Sequence, residues 1–245
     1  MKSEVLELKE LIDRLRAADQ SFYVFGAKSH RYEIGPPLPE SELSSYESRY
    51  GITLPEDYRL YLSMVGDGNG RKLRPGDGLH TVTGAGPGHG IYPLSETVNS
   101  HRVHLPFPFS RKVELPEGCE GDLAGAIEIS TQGCGTRVNL VVAGPEFGKV
   151  WEGNEYYQFA PTNLNFLSWM GQWAENALTM LSKWELVKKL SPGMTKEQVV
   201  EVVGGEWRER KSGRWWFFEG PTIPAQIVLS GENGVVSVID PWPFI

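Results

Sequence analysis

The residues best equipped for chemistry are the two cysteines, the five histidines and one dense run of acids. Cys134 lies between Gly133 and Gly135. With His80, His89 or His101 as a base, it could serve a hydrolase or transferase as nucleophile. Such a thiol needs a lowered pKa and an orienting neighbour, whereas the flanking glycines are already accounted for by a tight hairpin. His101 and His104 are three residues apart, a spacing that brings two imidazoles together on a helix. Zinc would require a third or fourth ligand, and no Cys or Asp/Glu pair is spaced to supply it. Surface histidines are the simpler reading, so no metal, cofactor or catalytic residue is expected. Glu114, Glu117, Glu120 and Asp122 put four carboxylates within nine residues. A run of this kind usually forms a solvated face, and it is also the best local candidate for meeting a cationic partner. Glu152 and Glu155, just after Trp151, form a weaker second patch.

Between Gly66 and Gly90 there are nine glycines in 25 residues, together with two prolines. A P-loop would close on Gly-Lys-Ser/Thr, and a Rossmann turn would link a strand to a helix. This stretch follows a helical pattern and no such lysine closes it, so a crossing loop is expected. Arg71, Lys72 and Arg74 fall inside it.

The elements that must position these residues read clearly in places. Ser3 can cap a first helix bearing Val5, Leu8, Leu11, Ile12 and Leu15 on one face. Phe22 to Ile34 is aromatic and roughly alternating, which predicts a strand or hairpin. From Leu38 to Gly70 the pattern is two short helices. The first starts near Pro39, carries Leu43, Tyr46 and Tyr50, and ends at Gly51. The second has Thr53 and Glu56 as a capping box, Tyr58, Tyr61, Leu62 and Val65 as an apolar stripe, and Gly66 as its stop. Period-two alternation at Ile127, Ile129, Val138, Leu140 and Val142 predicts an antiparallel meander, with turns at Gly133–Gly135 and Gly144–Gly148. A long helix is expected from Asn163 toward Leu190, capped by Thr162, its Met–Trp stripe serving as core. A domain boundary is expected near Leu181–Lys183, so that residues 1–182 and 183–245 form separate units. In the tail, Thr195 and Gln198 complete a capping box, and four strands follow. Trp207, Trp215, Trp216 and Trp242 read as core.

The stretch Leu38–Gly70 resembles the SUKH superfamily, which takes in a yeast cell-wall-assembly regulator and many bacterial immunity proteins. The matching residues are the acidic helix ending at Gly51, the Leu54-Pro55-Glu56-Asp57-Tyr58 run, and Leu62 before Gly66. Gly84–Leu94 looks like the family's glycine-rich segment, and Gly133–Trp151 like its central meander. Gly26 and His30-Arg31-Tyr32 also look like a pattern in bacterial relatives. The likeness implies an α+β fold, with N-terminal helices packed on a mainly antiparallel sheet. Its implied function is a non-catalytic immunity protein that neutralises a cognate bacterial toxin, a nuclease among the possibilities. A second reading, from the eukaryotic relatives, is a scaffold in cell-wall or stress signalling. The tail, with Gly193-Met194-Thr195 opening its helix, is similar to the small α/β unit of SmpA/OmlA-type lipoproteins and β-lactamase-inhibitor proteins.

With 245 residues the chain can bury a sizeable core. Its formal charge of −7 argues against a phosphate backbone as partner and favours a basic protein, chiefly through encounter rate and specificity. Two cysteines are too few for a disulfide framework. The first residues carry acids and no apolar run of signal-peptide length, and no window approaches the ~18 apolar residues of a membrane span. A cytoplasmic protein that contacts neither nucleic acid nor membrane is expected.

Overall fold

The computed structural model describes residues 1–68, 83–98, 100–114, 123–133, 136–153, 158–204, 206–209, 215–220, 223–230 and 238–241. It is an α+β protein made of two compact units: residues 1–17 with 26–174, and residues 18–25 with 175–245. Among the described residues no helix is long and apolar enough to cross a membrane.

In the first unit, helices α1 (Lys2–Ala18), α2 (Ala27–His30), α3 (Glu40–Tyr50) and α4 (Glu56–Met64) precede a five-stranded sheet. The strands are β1 (Val113–Glu114), β2 (Ala126–Gly133), β3 (Thr136–Val141), β4 (Lys149–Gly153) and β5 (Gln158–Asn165), in the order β1-β5-β4-β3-β2. All neighbours are antiparallel. The expected meander is therefore present, and Ile127, Ile129, Val138, Leu140 and Val142 are all buried. Residues 134 and 135 of its first turn lie outside the described residues. Register places Trp151 opposite Asn139 and Pro161, and Phe159 opposite Val113 and Gly153. That face closes on Phe107, whose ring centroid is 5.0 Å from that of Trp151. The opposite face carries Ile127, Leu140 and Val150, all fully buried.

The helical stripes are buried as their spacing predicts, whereas several of the expected caps are replaced. On α1, Val5, Leu8, Ile12 and Leu15 face inward. Its start is not capped by Ser3, which lies within the first turn. On α4, Tyr58, Tyr61, Leu62 and Val65 are buried, yet the helix begins at Glu56 behind Pro55 with no side-chain cap. The Thr53–Glu56 box therefore does not form. The incoming chain is held from α3 instead, where Glu47 Oε1 accepts the Leu54 N–H at 2.8 Å. Arg59 on α4 completes the clamp, donating to both carboxylate oxygens of Glu40 and, at 3.4 Å, to Glu47. Gly66 ends α4 with φ 148, where an added Cβ would lie 2.0 Å from the Gly35 carbonyl oxygen.

Two further expectations are corrected. Phe22–Ile34 forms no strand among the described residues; instead the short α2 is flanked by left-handed Gly26, Arg31 and Tyr32. His30 Nδ1 accepts the Tyr32 N–H at 3.0 Å, and Arg16 donates to the Tyr32 carbonyl, so the chain curls where alternation predicted extension. A Cβ at Gly26 would stand 1.6 Å from the Gly88 oxygen. The described part of the glycine-rich stretch, residues 83–92, is thus a close-packed connector: the amides of His89 and Tyr92 bond to the Thr131 and Ile129 carbonyls of β2, while residues 69–82 lie outside the described residues. The second correction concerns helix α5, which spans Phe166–Val187 and begins later than Asn163. Thr162 is no cap, because its hydroxyl donates to the Val150 carbonyl across the β4–β5 pair. Asn165 takes the local role, its Oδ1 accepting the Ser168 N–H at 2.9 Å. The remaining cap comes from α4, where Asp57 Oδ2 accepts the Leu167 N–H at 3.2 Å from 110 residues away. Tyr58 and Tyr61 pack edge-on against Phe166 beside it, with centroids 4.7 and 5.1 Å apart.

Helix α5 runs without a break through 181–183 and contributes residues to both compact units, which divide at Ala174 and Glu175. The second unit contains α6 (Lys196–Val203) and the strands β6 (Glu206–Glu209), β7 (Trp215–Gly220), β8 (Ile223–Ser230) and β9 (Val238–Pro241), antiparallel and in chain order. Its capping box forms in full, with Thr195 and Gln198 satisfying each other's backbone N–H groups, and Gly204 ends the helix at φ 65. Asp19 organises residues 18–25, accepting the Tyr23 and Val24 amides at 2.7 and 3.0 Å. The Tyr23 ring meets Trp184 at 5.4 Å.

Candidate functional site

Helix α3 buries Leu43 and Tyr46 and turns its flank toward a 3-10 turn at Leu94–Glu96. Three side chains fasten that turn. The Thr97 hydroxyl donates to the Leu94 carbonyl at 2.8 Å, so the Tyr46 hydroxyl, 2.6 Å from it, donates in its turn to Thr97. Asp67, just past the Gly66 stop, accepts the Leu94 N–H at 2.8 Å. Between α3 and the turn lies a hollow of about 440 Å³. Glu42, Ser45, Tyr46, Arg49, Tyr50 and Asp67 are among the residues lining it.

The hollow is acidic beside Asp67, while Arg49 lines it at the α3 end. Burial holds the Asp67 carboxyl above the usual carboxylate range, and the nearby charges of Glu42 and Glu96 add to the effect. The amides of Leu94 and Gly68 pull the other way. Burial likewise raises the phenols of Tyr46 and Tyr58, and both feel the charge of Asp67. Tyr58 is fully buried, and its hydroxyl has no hydrogen-bond partner among the described residues. A half-buried carboxylate, a second carboxylate at the rim and tyrosine rings beside them suit a cationic side chain, which gains ion pairing and ring contact together.

A second hollow, of about 380 Å³, adjoins the first and shares Arg49 and Tyr50 with it. Its other walls are Val98, Ser100, His101, Val103 and His104. Arg49 lies over the Tyr50 ring, 5.3 Å from its centroid. Among the described residues, no group of three or more His, Cys, Asp or Glu could hold a metal ion.

The acids singled out by sequence lie elsewhere. Glu114 is exposed at the end of β1, in register with Gln158. Glu152, on β4, is half-buried and engaged: its Oε1 accepts from Trp169 Nε1 at 2.9 Å and Gln132 Nε2 at 3.3 Å. Strand β5 separates these two acids in the sheet. Glu117, Glu120, Asp122 and Glu155 lie outside the described residues, as do Cys119, Cys134 and His80. His89 donates its backbone N–H to β2, whereas His101 and His104 are exposed on the second hollow. Sequence reasoning missed Glu42 and Asp67 and read Tyr46 only as core. The one available signal was an acid placed directly after the Gly66 helix stop.

No family model matches this chain, and no curated protein is significantly similar to it.

Proposed function

We propose that this protein is a non-catalytic binding module that takes a basic segment of a partner protein against the flank of α3. The observation that carries this reading is the hollow beside Tyr46 and Asp67, with Glu42 also in its lining. A protein of net charge −7 attracts a basic partner from a distance, and the hollow gives one of that partner's cations a defined seat. The resemblance of Leu38–Gly70 to SUKH immunity proteins supports a cognate bacterial toxin, a nuclease among the possibilities, as the partner. Inhibition then requires only that an acidic, complementary surface cover or crowd a basic active site. On this reading the protein acts in the cytoplasm, and Glu114, Glu117, Glu120, Asp122, Glu152 and Glu155 add to the net negative charge that draws the partner in.

The test is to mix the purified protein with the toxin encoded beside its gene, and to measure affinity and residual toxicity. A complex at micromolar concentration or tighter is expected, weakened by salt. Glu42→Lys, a charge reversal on an exposed side chain, should cost about tenfold in affinity, or roughly 1.4 kcal/mol. No complex at micromolar concentration together with undiminished toxicity would overturn the reading.

A further inference from the structure

In a protein with more acids than bases, the second hollow is lined by an arginine and two histidines and, among the described residues, by no acid. Arg49, His101 and His104 all line it. None of the three has a carboxylate partner among the described residues, and Arg49 is steadied by lying over the Tyr50 ring. Some arginines of this unit are spent on ion pairs, as with Arg59 on Glu40 and Glu47 and Arg137 on Glu128. The C-terminal end of α3 stands nearby, since a Cβ at Gly51 would lie 3.7 Å from the Cβ of His104. A helix end carries only about half a negative charge, too little to neutralise the Arg49 guanidinium.

We propose that this hollow is an oxyanion site for a phosphate monoester. A guanidinium supplies a rigid fork of N–H donors, and each imidazole has an N–H donor whether neutral or charged. One carboxylate would be satisfied by Arg49 alone. A monoester, with about −1.5 to −2 charges and three strong acceptor oxygens, uses all three side chains and leaves the rest of the ligand to lie against Tyr50 and the valine wall. The site shares Arg49 and Tyr50 with the acidic hollow but needs no toxin, and His101 and His104 line it alone, so phosphate binding is read separately from the binding role proposed above.

The ring C–H resonances of His101 and His104 provide the readout, with ligands added at constant pH and ionic strength. Inorganic phosphate should shift both resonances in a saturable way, with a Kd on the order of 1 mM. O-phosphoserine should bind at least as tightly. Arg49→Gln, and separately His104→Gln, should raise the Kd about tenfold; both side chains are exposed, so the fold is kept. Acetate should give no saturating shift. The proposal fails if phosphate does not saturate, if both variants titrate like the wild type, if acetate binds as well as phosphate, or if inorganic phosphate binds and O-phosphoserine does not.

Discussion

The starts of α5 and α6 solve one problem in two ways. Every helix begins with backbone N–H groups that lack an intrahelical partner. At α6 the remedy is local: Thr195 and Gln198, three residues apart, satisfy each other's amides. At α5, Asn165 supplies one local acceptor, and Asp57 reaches across from α4 to take the Leu167 amide. The difference lies in what each cap ties together. Thr195 stabilises one helix, whereas Asp57 fastens α4 to α5 at the point where Tyr58 and Tyr61 meet Phe166. A distant cap should therefore be felt across the unit, and a local one mainly in its own helix.

Acid gives the largest test of these long-range ties. His30 is buried, and burial, followed by the influence of His89, lowers its pKa to about 4 from the ordinary 6.5. Because the folded pKa is depressed, the unfolded chain binds more protons between those values. Stability is full above pH 6.5 and is lost as pH falls toward 4, by roughly 3 kcal/mol in all. His30→Asn, which keeps an acceptor for the Tyr32 amide and does not titrate, should flatten this part of the profile in urea melts at stepped pH. Asp57 and Asp67, whose pKa values are raised mainly by burial, are common to both proteins and cancel in the difference. An unchanged slope would remove His30 as the cause.

Asp57→Ala comes next, at about 2 kcal/mol, with faster hydrogen exchange at Leu167 in helix α5. Asp57→Asn retains an oxygen acceptor and should recover most of that loss. If Asn were as damaging as Ala, the carboxylate charge, and not the acceptor, would be holding α5. Thr195→Ala should cost about 1 kcal/mol, with the change in exchange confined to α6 and its neighbours. Were its effect to reach Leu167, the local-versus-distant contrast would collapse. Smallest of all, Glu42→Lys should change stability by no more than about 0.5 kcal/mol, since its expected cost falls on partner binding.

How much of this was legible in the sequence depended on the range of the interaction. The stripes of α1 and α4, the meander through Ile127 and Leu140, and the Thr195 box each rest on residues a few positions apart, so their spacing identifies them. Phe22–Ile34 shows the limit. Its aromatic alternation suggests a strand, yet Gly26 meets Gly88 and Arg16 takes the Tyr32 carbonyl, and these partners are invisible in a short window. Thr162 misled for the same reason, because its hydroxyl is already committed to Val150 on β4. The hollow beside α3 was least legible. Glu42, Tyr46 and Asp67 line one hollow only because the Leu94–Glu96 turn returns to α3.

By itself the sequence determined the buried stripes of α1 and α4, the meander from β2 to β4, the Thr195 box and the net negative charge. Periodicity and composition are local or additive quantities and survive without coordinates. Only the tertiary structure decided which acids are spent on structure and which line a cavity. Asp57 and Asp67 are the same residue type, ten positions apart and both raised by burial, yet one caps a helix and the other lines the hollow. What separates them is which distant backbone amides reach each carboxylate, and chain closure sets that.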